Sequence, residues 1–294
     1  MSEHKNAIKL LLSVLALIFV TVSQAEVRRF DVVSVESPAF DGRTFGDVGQ
    51  YQKITAKVTI AIDPDHELNQ GIVDLDIAPV NADGLVEAVA DVVILRPVDL
   101  TKGNGRIFYE VLNRGDKISF IMMNDAPWVG YYAGLDVANG HLMNEGYTVV
   151  WSGWQGDLPP GKNRMTLDVP VLKGITGPVR DEIVFNHDYN PFVATLSYPA
   201  ATLDTNKATL TVRARQTDPR VTPDDLKFEF FTAARAGIEP YTNEQIIIHR
   251  PAGFDANAIY EFTYEARDPI VMGLAFASVR DLISFLRNDP EDAV

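Results

Sequence analysis

Two stretches of the sequence decide the predicted fold: GRIFYEVLNRGD at residues 105–116 and YTVVWSGWQGD at residues 147–157. Each begins with a short apolar run typical of a buried strand, at residues 105–112 and 147–151, and each ends in a polar loop that contains glycine. Between them, residues 136–145 predict a helix that Gly146 ends. Two strands separated by roughly 35 residues that include a helix have the spacing of a β-α-β unit, so we expect them to pair in parallel.

Further strands are predicted on both sides of this unit. The upstream runs are rich in β-branched residues and lie at residues 27–35, 53–63, 72–78 and 88–95. Asp83-Gly84 predicts a hairpin between the last two of these. The downstream runs are short, lie between turn clusters and occur at residues 183–185, 194–198, 208–215, 226–230 and 245–250. Residues 269–286 carry apolar side chains at helical spacing.

These elements predict an α/β protein in four segments. The segments are a signal peptide at residues 1–25, an α/β domain at 26–157 that opens with an antiparallel β extension, a β-rich insertion at 158–265, and a helical segment at 266–294.

Composition excludes several classes of function. The chain has 294 residues, 40 of them acidic and 26 basic, for a net charge of −14, so we expect no nucleic-acid partner. It has no cysteine, which excludes disulfides, thiolate metal sites and a cysteine nucleophile. No spacing of histidines or acidic residues matches a metal motif, and we expect neither a metal nor a cofactor. The oligomeric state is not specified by any of these features.

The first 25 residues have the pattern of a secretory signal peptide. Lys5 and Lys9 precede the apolar run LLLSVLALIFV at residues 10–20, and small residues lead to a cleavage position after Ala25. The alternative is an uncleaved membrane anchor, but the run is shorter than the roughly 20 residues that span a bilayer. We therefore predict a secreted or periplasmic protein with no stable membrane span after cleavage.

The loops that follow the two central strands hold the candidate binding residues. Parallel strands present their carboxyl ends at one edge of a sheet, where open α/β folds hold ligands. The first loop contributes Asn113, Arg114 and Gly115, and the second contributes a possible pocket wall of Trp151, Trp154, Gln155 and Asp157. The alternatives are an ordinary turn in which Arg114 pairs with an acidic neighbour, and tryptophans that simply cap the core.

A serine nucleophile is not evident in the sequence. Ser152 would need glycine two residues before and two residues after it, but Val150 and Trp154 occupy those positions. No other serine of the predicted mature chain lies in a Gly-x-Ser-x-Gly frame. We therefore assign no catalytic residue in this chain.

Several motifs together resemble one protein family. They are FDVV at residues 30–33, SPAF at 37–40, ILRP at 94–97, YEVLNRG at 109–115, GYTVVWSGWQGD at 146–157 and VRDLISFLR at 279–287. In these motifs the chain resembles the exported bacterial alpha/beta hydrolase domain-containing proteins. The resemblance implies an incomplete α/β-hydrolase sheet with a β-rich insertion, a small-molecule ester substrate, and an oxyanion hole formed at Asn113, Arg114 and Gly115.

The same resemblance implies that the chemistry is incomplete in this chain. In the family, the nucleophilic serine, the acid and the histidine all follow the helix that corresponds to residues 269–286. We therefore expect the N-terminal portion of an esterase-like serine hydrolase that is inactive as this chain. The alternatives are a non-catalytic exported β-rich binding or structural module and, ranked last, a hydrolase that uses a carboxylate pair.

Overall fold

The computed structural model describes residues 27–127, 136–158, 164–185, 190–232 and 244–288. The predicted signal peptide lies outside these ranges. Within them, no helix combines the length and the hydropathy needed to cross a bilayer.

A seven-stranded sheet carries the two loops singled out by the sequence. Its main path runs β1-β3-β4-β6-β5, with β2 added to β3 and β7 added to β4. The strands are β1 (Val27–Glu36), β2 (Thr44–Phe45), β3 (Gly49–Ile62), β4 (Val86–Pro97), β5 (Ile107–Val111), β6 (Thr148–Ser152) and β7 (Leu167–Asp168). The β5–β6 pair is parallel, with Ile107 opposite Thr148 and Val111 opposite Ser152, which confirms the predicted parallel pairing.

Helices cover both faces of this sheet. On one face, α3 (Leu274–Asn288) packs its buried Leu274 and Leu282 against the alternating apolar residues of β3 and β4. On the other face, α1 (Ser119–Met123) and α2 (His141–Asn144) pack against a cluster that includes Trp151.

The downstream strands form two smaller sheets with their own core. One sheet has the order β10-β13-β8 and the other β11-β12-β9, and every pairing in them is antiparallel. The strands are β8 (Thr176–Val184), β9 (Phe192–Thr195), β10 (Thr209–Arg213), β11 (Lys227–Thr232), β12 (Glu244–His249) and β13 (Ile259–Arg267). Buried side chains of both sheets, among them Ile248, Tyr260 and Phe262, share one apolar cluster. The two sheets therefore pack on each other as a small sandwich.

The predicted fold class, an incomplete α/β-hydrolase sheet, is wrong. The described residues are mostly β-strands in antiparallel sheets, with three α-helices, whereas the predicted fold needs many helices. Between β5 and β6 the described residues form only α1 and α2, of five and four residues. Of the pairings described, β5–β6 alone is parallel. The β-α-β pattern therefore holds for this pair and not for the other described strands.

Three local predictions also changed. Residues 72–78 form no strand, because Asp74 has a left-handed backbone with φ of 63° and starts a 3-10 turn at Leu75–Ile77. The hairpin predicted at Asp83-Gly84 is therefore wrong, and β3 pairs with β4 across a longer connection. β13 was not predicted, although its residues alternate between buried and exposed from Phe262 onward. The predicted C-terminal helix is confirmed as α3.

Candidate functional site

The loops after β5 and β6 meet at the carboxyl end of the parallel pair. The backbone N–H of Arg114 donates a hydrogen bond to Gln155 Oε1 at 2.9 Å. The Arg114 guanidinium pairs with Asp157 Oδ2 at 2.7 Å. The structure therefore brings together Arg114, Gln155 and Asp157, which the sequence placed in two separate loops, and we call this group the Arg114 clamp.

Unusual backbone geometry shapes the first loop. Arg114 has φ of 54° and Gly115 has φ of 83°, both in the left-handed region. For a residue with a side chain this conformation costs about 1–3 kcal/mol, which the surrounding contacts must offset. A Cβ at Gly115 would lie 2.5 Å from Arg164 Cγ and 2.7 Å from the Met165 carbonyl oxygen. Glycine is therefore required at position 115 by both conformation and space.

Hydrogen bonding leaves one N–H of this loop without an acceptor. The Arg114 N–H is bonded to Gln155. The Asp116 N–H donates to the carbonyl oxygen of Asn113, an exposed residue, at 3.1 Å. The Gly115 carbonyl accepts from the Met165 N–H at 3.1 Å, while the Gly115 N–H has no acceptor among the described residues. Gly115 itself is buried against Arg164 and Met165.

The two tryptophans of the second loop lie in different environments. Trp151 is fully buried, and its Nε1–H donates to Glu110 Oε2 at 2.6 Å, so it belongs to the core as the alternative interpretation has it. Trp154 is half-buried, and its Nε1–H donates to the Leu112 carbonyl oxygen at 2.5 Å. Its ring lies edge-on to Phe276 of α3 at a centroid distance of 6.2 Å.

Phe276 is a site residue that the sequence analysis missed. It is 73% exposed and lies off the apolar face of α3. The available signal was a large aromatic residue on the polar side of an amphipathic helix. Trp154 lies close to the first loop, because its indole N–H bonds to Leu112, two residues before Arg114.

Ser152 has a phenol, not a base, as its partner. Its Oγ and the Tyr109 hydroxyl form a hydrogen bond, and Ser152 is buried. Burial raises the pKa of Tyr109 to about 12, so the phenol stays protonated at neutral pH and does not remove a proton from the serine. The pair therefore ties β5 to β6 and does not activate a nucleophile.

Charged residues connect the first loop to the neighbouring elements β5 and α1. Glu110 is buried and accepts hydrogen bonds from the Ile118 N–H at 2.7 Å and the Ser119 N–H at 2.9 Å. Burial lowers the pKa of Lys117 and raises the pKa of Asp116, so the neutral form of each is favoured more than in water. Through its two bonds to backbone N–H groups, Glu110 fixes the start of α1 to β5.

The described histidines lie in other settings. His66 Nδ1 accepts from the Leu68 N–H at 3.1 Å, and His249 Nε2 lies 3.3 Å from Glu229 Oε1. His141 begins α2, and its N–H donates to Asn139. In the part of the chain that the structure describes, no three His, Asp or Glu side chains come together as metal ligands.

Comparison with known proteins found no match: no family model, no curated protein and no solved structure matches this chain.

Proposed function

We propose that this chain forms the ester-binding side of an esterase-like hydrolase and does not hydrolyse esters by itself. The observation that carries the proposal is the Arg114 clamp at the carboxyl end of β5 and β6. A guanidinium next to a carbonyl oxygen stabilises negative charge that develops on that oxygen. The motif resemblance to exported hydrolases supports an ester as the ligand class.

The remaining geometry of the loops fits this role. The exposed Phe276 and the half-buried Trp154 offer an apolar surface for the acyl or alcohol part of an ester. Gln155 and Asp157 hold Arg114 in its left-handed conformation, so the direction of its guanidinium is set before a ligand binds. The attacking group comes from outside this set of residues.

A binding experiment tests the proposal directly. The ligand is the p-nitrophenyl ethylphosphonate anion, whose tetrahedral charged centre imitates an ester intermediate and whose nitrophenyl ring quenches tryptophan fluorescence. Arg114→Ala is expected to weaken binding at least tenfold, about 1.4 kcal/mol. The matched control is Arg29→Ala, since Arg29 is an exposed arginine paired with Asp31 on β1. Equal affinity in both variants, or no binding by the unmodified chain, contradicts the proposal.

An activity assay tests the second half of the statement. The purified chain is expected to hydrolyse p-nitrophenyl acetate and butyrate no faster than buffer does. Turnover that a serine-directed inhibitor abolishes would show a nucleophile within the chain and would refute this half.

One observation favours a second candidate, a non-catalytic binding module. Both the N–H and the guanidinium of Arg114 already have partners, while Phe276 of the Trp154–Phe276 pair is exposed. Such a module would bind uncharged ligands by stacking on aromatic rings. If Phe276→Ala abolishes binding of a neutral oligosaccharide and the phosphonate does not bind at all, the module is the better assignment.

We also propose that the protein is exported with residues 1–25 removed. Expression in a bacterial host, followed by fractionation and N-terminal mass analysis, is expected to give a periplasmic or secreted product that begins at Glu26. A cytoplasmic product that retains Met1 would refute export.

A further inference from the structure

The outer face of the β10-β13-β8 sheet carries a buried carboxylate. In β13, Tyr260 and Phe262 belong to the apolar core of the sandwich, so Glu261 between them points to the other face of the sheet. Glutamate is almost never fully buried unless it is paired, and Glu261 is only 1% exposed. Arginine side chains provide that pairing on the outer face.

Three guanidinium groups from three segments converge on Glu261. They belong to Arg180 of β8, Arg213 of β10 and Arg220 of the loop after β10. Arg180 Nε lies 3.4 Å and Arg213 Nη2 lies 3.0 Å from Oε1, and Arg220 Nε lies 2.6 Å from Oε2. Glu182, directly opposite Glu261 on β8, is 3.4 Å from Arg180 and 3.5 Å from Arg213. We call these five residues the arginine cluster.

The arginine cluster holds more positive than negative charge. Hydrogen bonding from Arg220 lowers the pKa of Glu261, so this carboxylate is ionised at neutral pH. Three guanidinium groups then face two carboxylates, which leaves a net charge of +1. Arg215 and Asp218 in the same loop have opposite charges and leave this balance unchanged.

The other buried arginine described in the sandwich is balanced in the opposite way. Arg250 contacts two carboxylates, Asp225 at 3.0 Å and Asp255 at 3.1 Å. The chain as a whole has a net charge of −14. Guanidinium groups held close together repel one another, and a bound anion relieves that repulsion. The surplus of arginine at this one place therefore points to an anionic ligand.

Each guanidinium of the arginine cluster has one nitrogen without a partner among the described residues. Arg180 and Arg220 contact the carboxylates through Nε and Nη2, which leaves Nη1 of each. Arg213 donates from Nη1 to the Gln216 carbonyl oxygen and from Nη2 to Glu261, which leaves its buried Nε. The side chains of Arg180 and Arg220 are 52% and 46% exposed, so both are accessible to a ligand in solution.

We propose that the arginine cluster binds a tetrahedral oxyanion, a phosphate or sulfate group, between Arg180 and Arg220. Guanidinium groups bind such oxyanions through charge-assisted hydrogen bonds. Glu261 contacts all three arginines and so orients them before the anion binds, which lowers the entropy lost on binding. Thr263, exposed and directly opposite Arg180, adds a hydroxyl on the same face. This site lies on the sandwich and is distinct from the Arg114 clamp of the seven-stranded sheet.

Isothermal titration calorimetry of the full chain with inorganic phosphate tests the inference. Sodium chloride is adjusted so that the ionic strength stays constant, because general screening would otherwise change with the titrant. We expect saturable binding that weakens about tenfold in Arg180→Ala/Arg220→Ala, since that variant loses both accessible guanidinium groups. The matched control is Arg28→Ala/Arg29→Ala, which removes two exposed arginines of β1 and should bind normally.

A single variant keeps the test independent of the stability of the double variant. Arg180→Ala leaves Arg213 and Arg220 in contact with Glu261, so the variant should fold and should bind phosphate about threefold more weakly. Circular dichroism checks the fold of each variant. Unchanged affinity in this single variant, or no binding of either phosphate or sulfate by the unmodified chain, overturns the proposal.

Further titrants separate the possible sources of the anion. Tighter binding of phenyl phosphate than of inorganic phosphate supports the proposal and assigns the site to a phosphate group on a larger molecule. Tighter binding of the inorganic ion supports it and assigns the site to free phosphate, and tighter binding of inorganic sulfate assigns it to sulfate. If acetate binds as tightly as phosphate, the ligand is a carboxylate and the proposal of a tetrahedral oxyanion is wrong.

Discussion

Replacing Glu110 with alanine should destabilise the protein strongly, because one buried carboxylate holds three separate segments together. Its oxygens accept from Trp151 Nε1 at 2.6 Å, from the Ile118 N–H at 2.7 Å and from the Ser119 N–H at 2.9 Å. These donors belong to β6 and to the start of α1. Glu110 itself lies in the middle of β5, so the substitution removes a junction between strand, helix and loop.

The expected magnitude follows from what each donor loses. Trp151 keeps a second acceptor, Ser119 Oγ at 3.1 Å. The N–H groups of Ile118 and Ser119 lose their only described side-chain acceptor, and a buried donor without a partner costs roughly 1–3 kcal/mol. Adding the loss at Trp151, we expect Glu110→Ala to lower the free energy of unfolding by about 4 kcal/mol, a large part of the roughly 5–15 kcal/mol of a typical domain.

Urea denaturation followed by tryptophan fluorescence measures this loss. Glu110→Gln retains one carbonyl oxygen as an acceptor and should fall between the alanine variant and the unmodified protein. The matched control is Glu87→Ala, since Glu87 is an exposed glutamate of β4 that accepts one hydrogen bond, from Asn81. Exposed positions of this kind usually change stability by less than about 0.5 kcal/mol. If Glu110→Ala costs no more than Glu87→Ala, the junction described above does not contribute as argued.

Three further changes test other parts of the structure. Gly153→Ala would place a Cβ 2.0 Å from the Thr166 carbonyl oxygen, so urea denaturation should show a loss of about 3 kcal/mol, and a neutral result would contradict that close approach. The pKa of Tyr109 rises from 10.0 to about 12 on folding, so the free energy of unfolding should fall by up to roughly 3 kcal/mol as the pH rises from 10 to 12. In urea denaturation across this pH range, Tyr109→Phe should reduce that fall, and an unchanged pH dependence would refute the prediction. Hydrogen bonding from Arg220 lowers the pKa of Glu261, so the stabilisation from the ionised Glu261 is present above the usual glutamate pKa of 4.5 and is lost as the pH falls. The melting temperature of Glu261→Gln should then depend less on pH between 5 and 3 than that of the unmodified protein. Equal dependence would count against the ion pair.

Local patterns identified the elements around the site correctly. The runs at residues 105–112 and 147–151 predicted β5 and β6 to within two residues, because short apolar runs followed by glycine-containing loops are a local property of the sequence. The helix predicted at residues 136–145 is shorter, since only His141–Asn144 is helical. The amphipathic spacing of the C-terminal helix likewise predicted α3, apart from a shift at its ends. The residues named in the two loops include all three members of the Arg114 clamp.

The fold class could not be extended from those elements. Strand pairing joins residues far apart in the chain, and β-propensity does not state which edge a strand will meet. β13 shows the difficulty: its alternation is clear, but only its position between β10 and β8 makes Tyr260 and Phe262 core residues. Asp74 shows the converse, since a left-handed backbone ended an apparently good strand.

By itself, the sequence determined the acidic charge, the absence of thiol chemistry, the two short apolar strands and the polar loops that follow them, because each depends on composition or on neighbours along the chain. Only the tertiary structure decided that Gln155 and Asp157 hold Arg114, that Trp151 belongs to the core, and that Phe276 lies beside Trp154. It also decided that β5 comes last in the strand order described for the main sheet. These features depend on contacts between segments separated by tens of residues or more, which arise when apolar faces pack and backbone groups find partners.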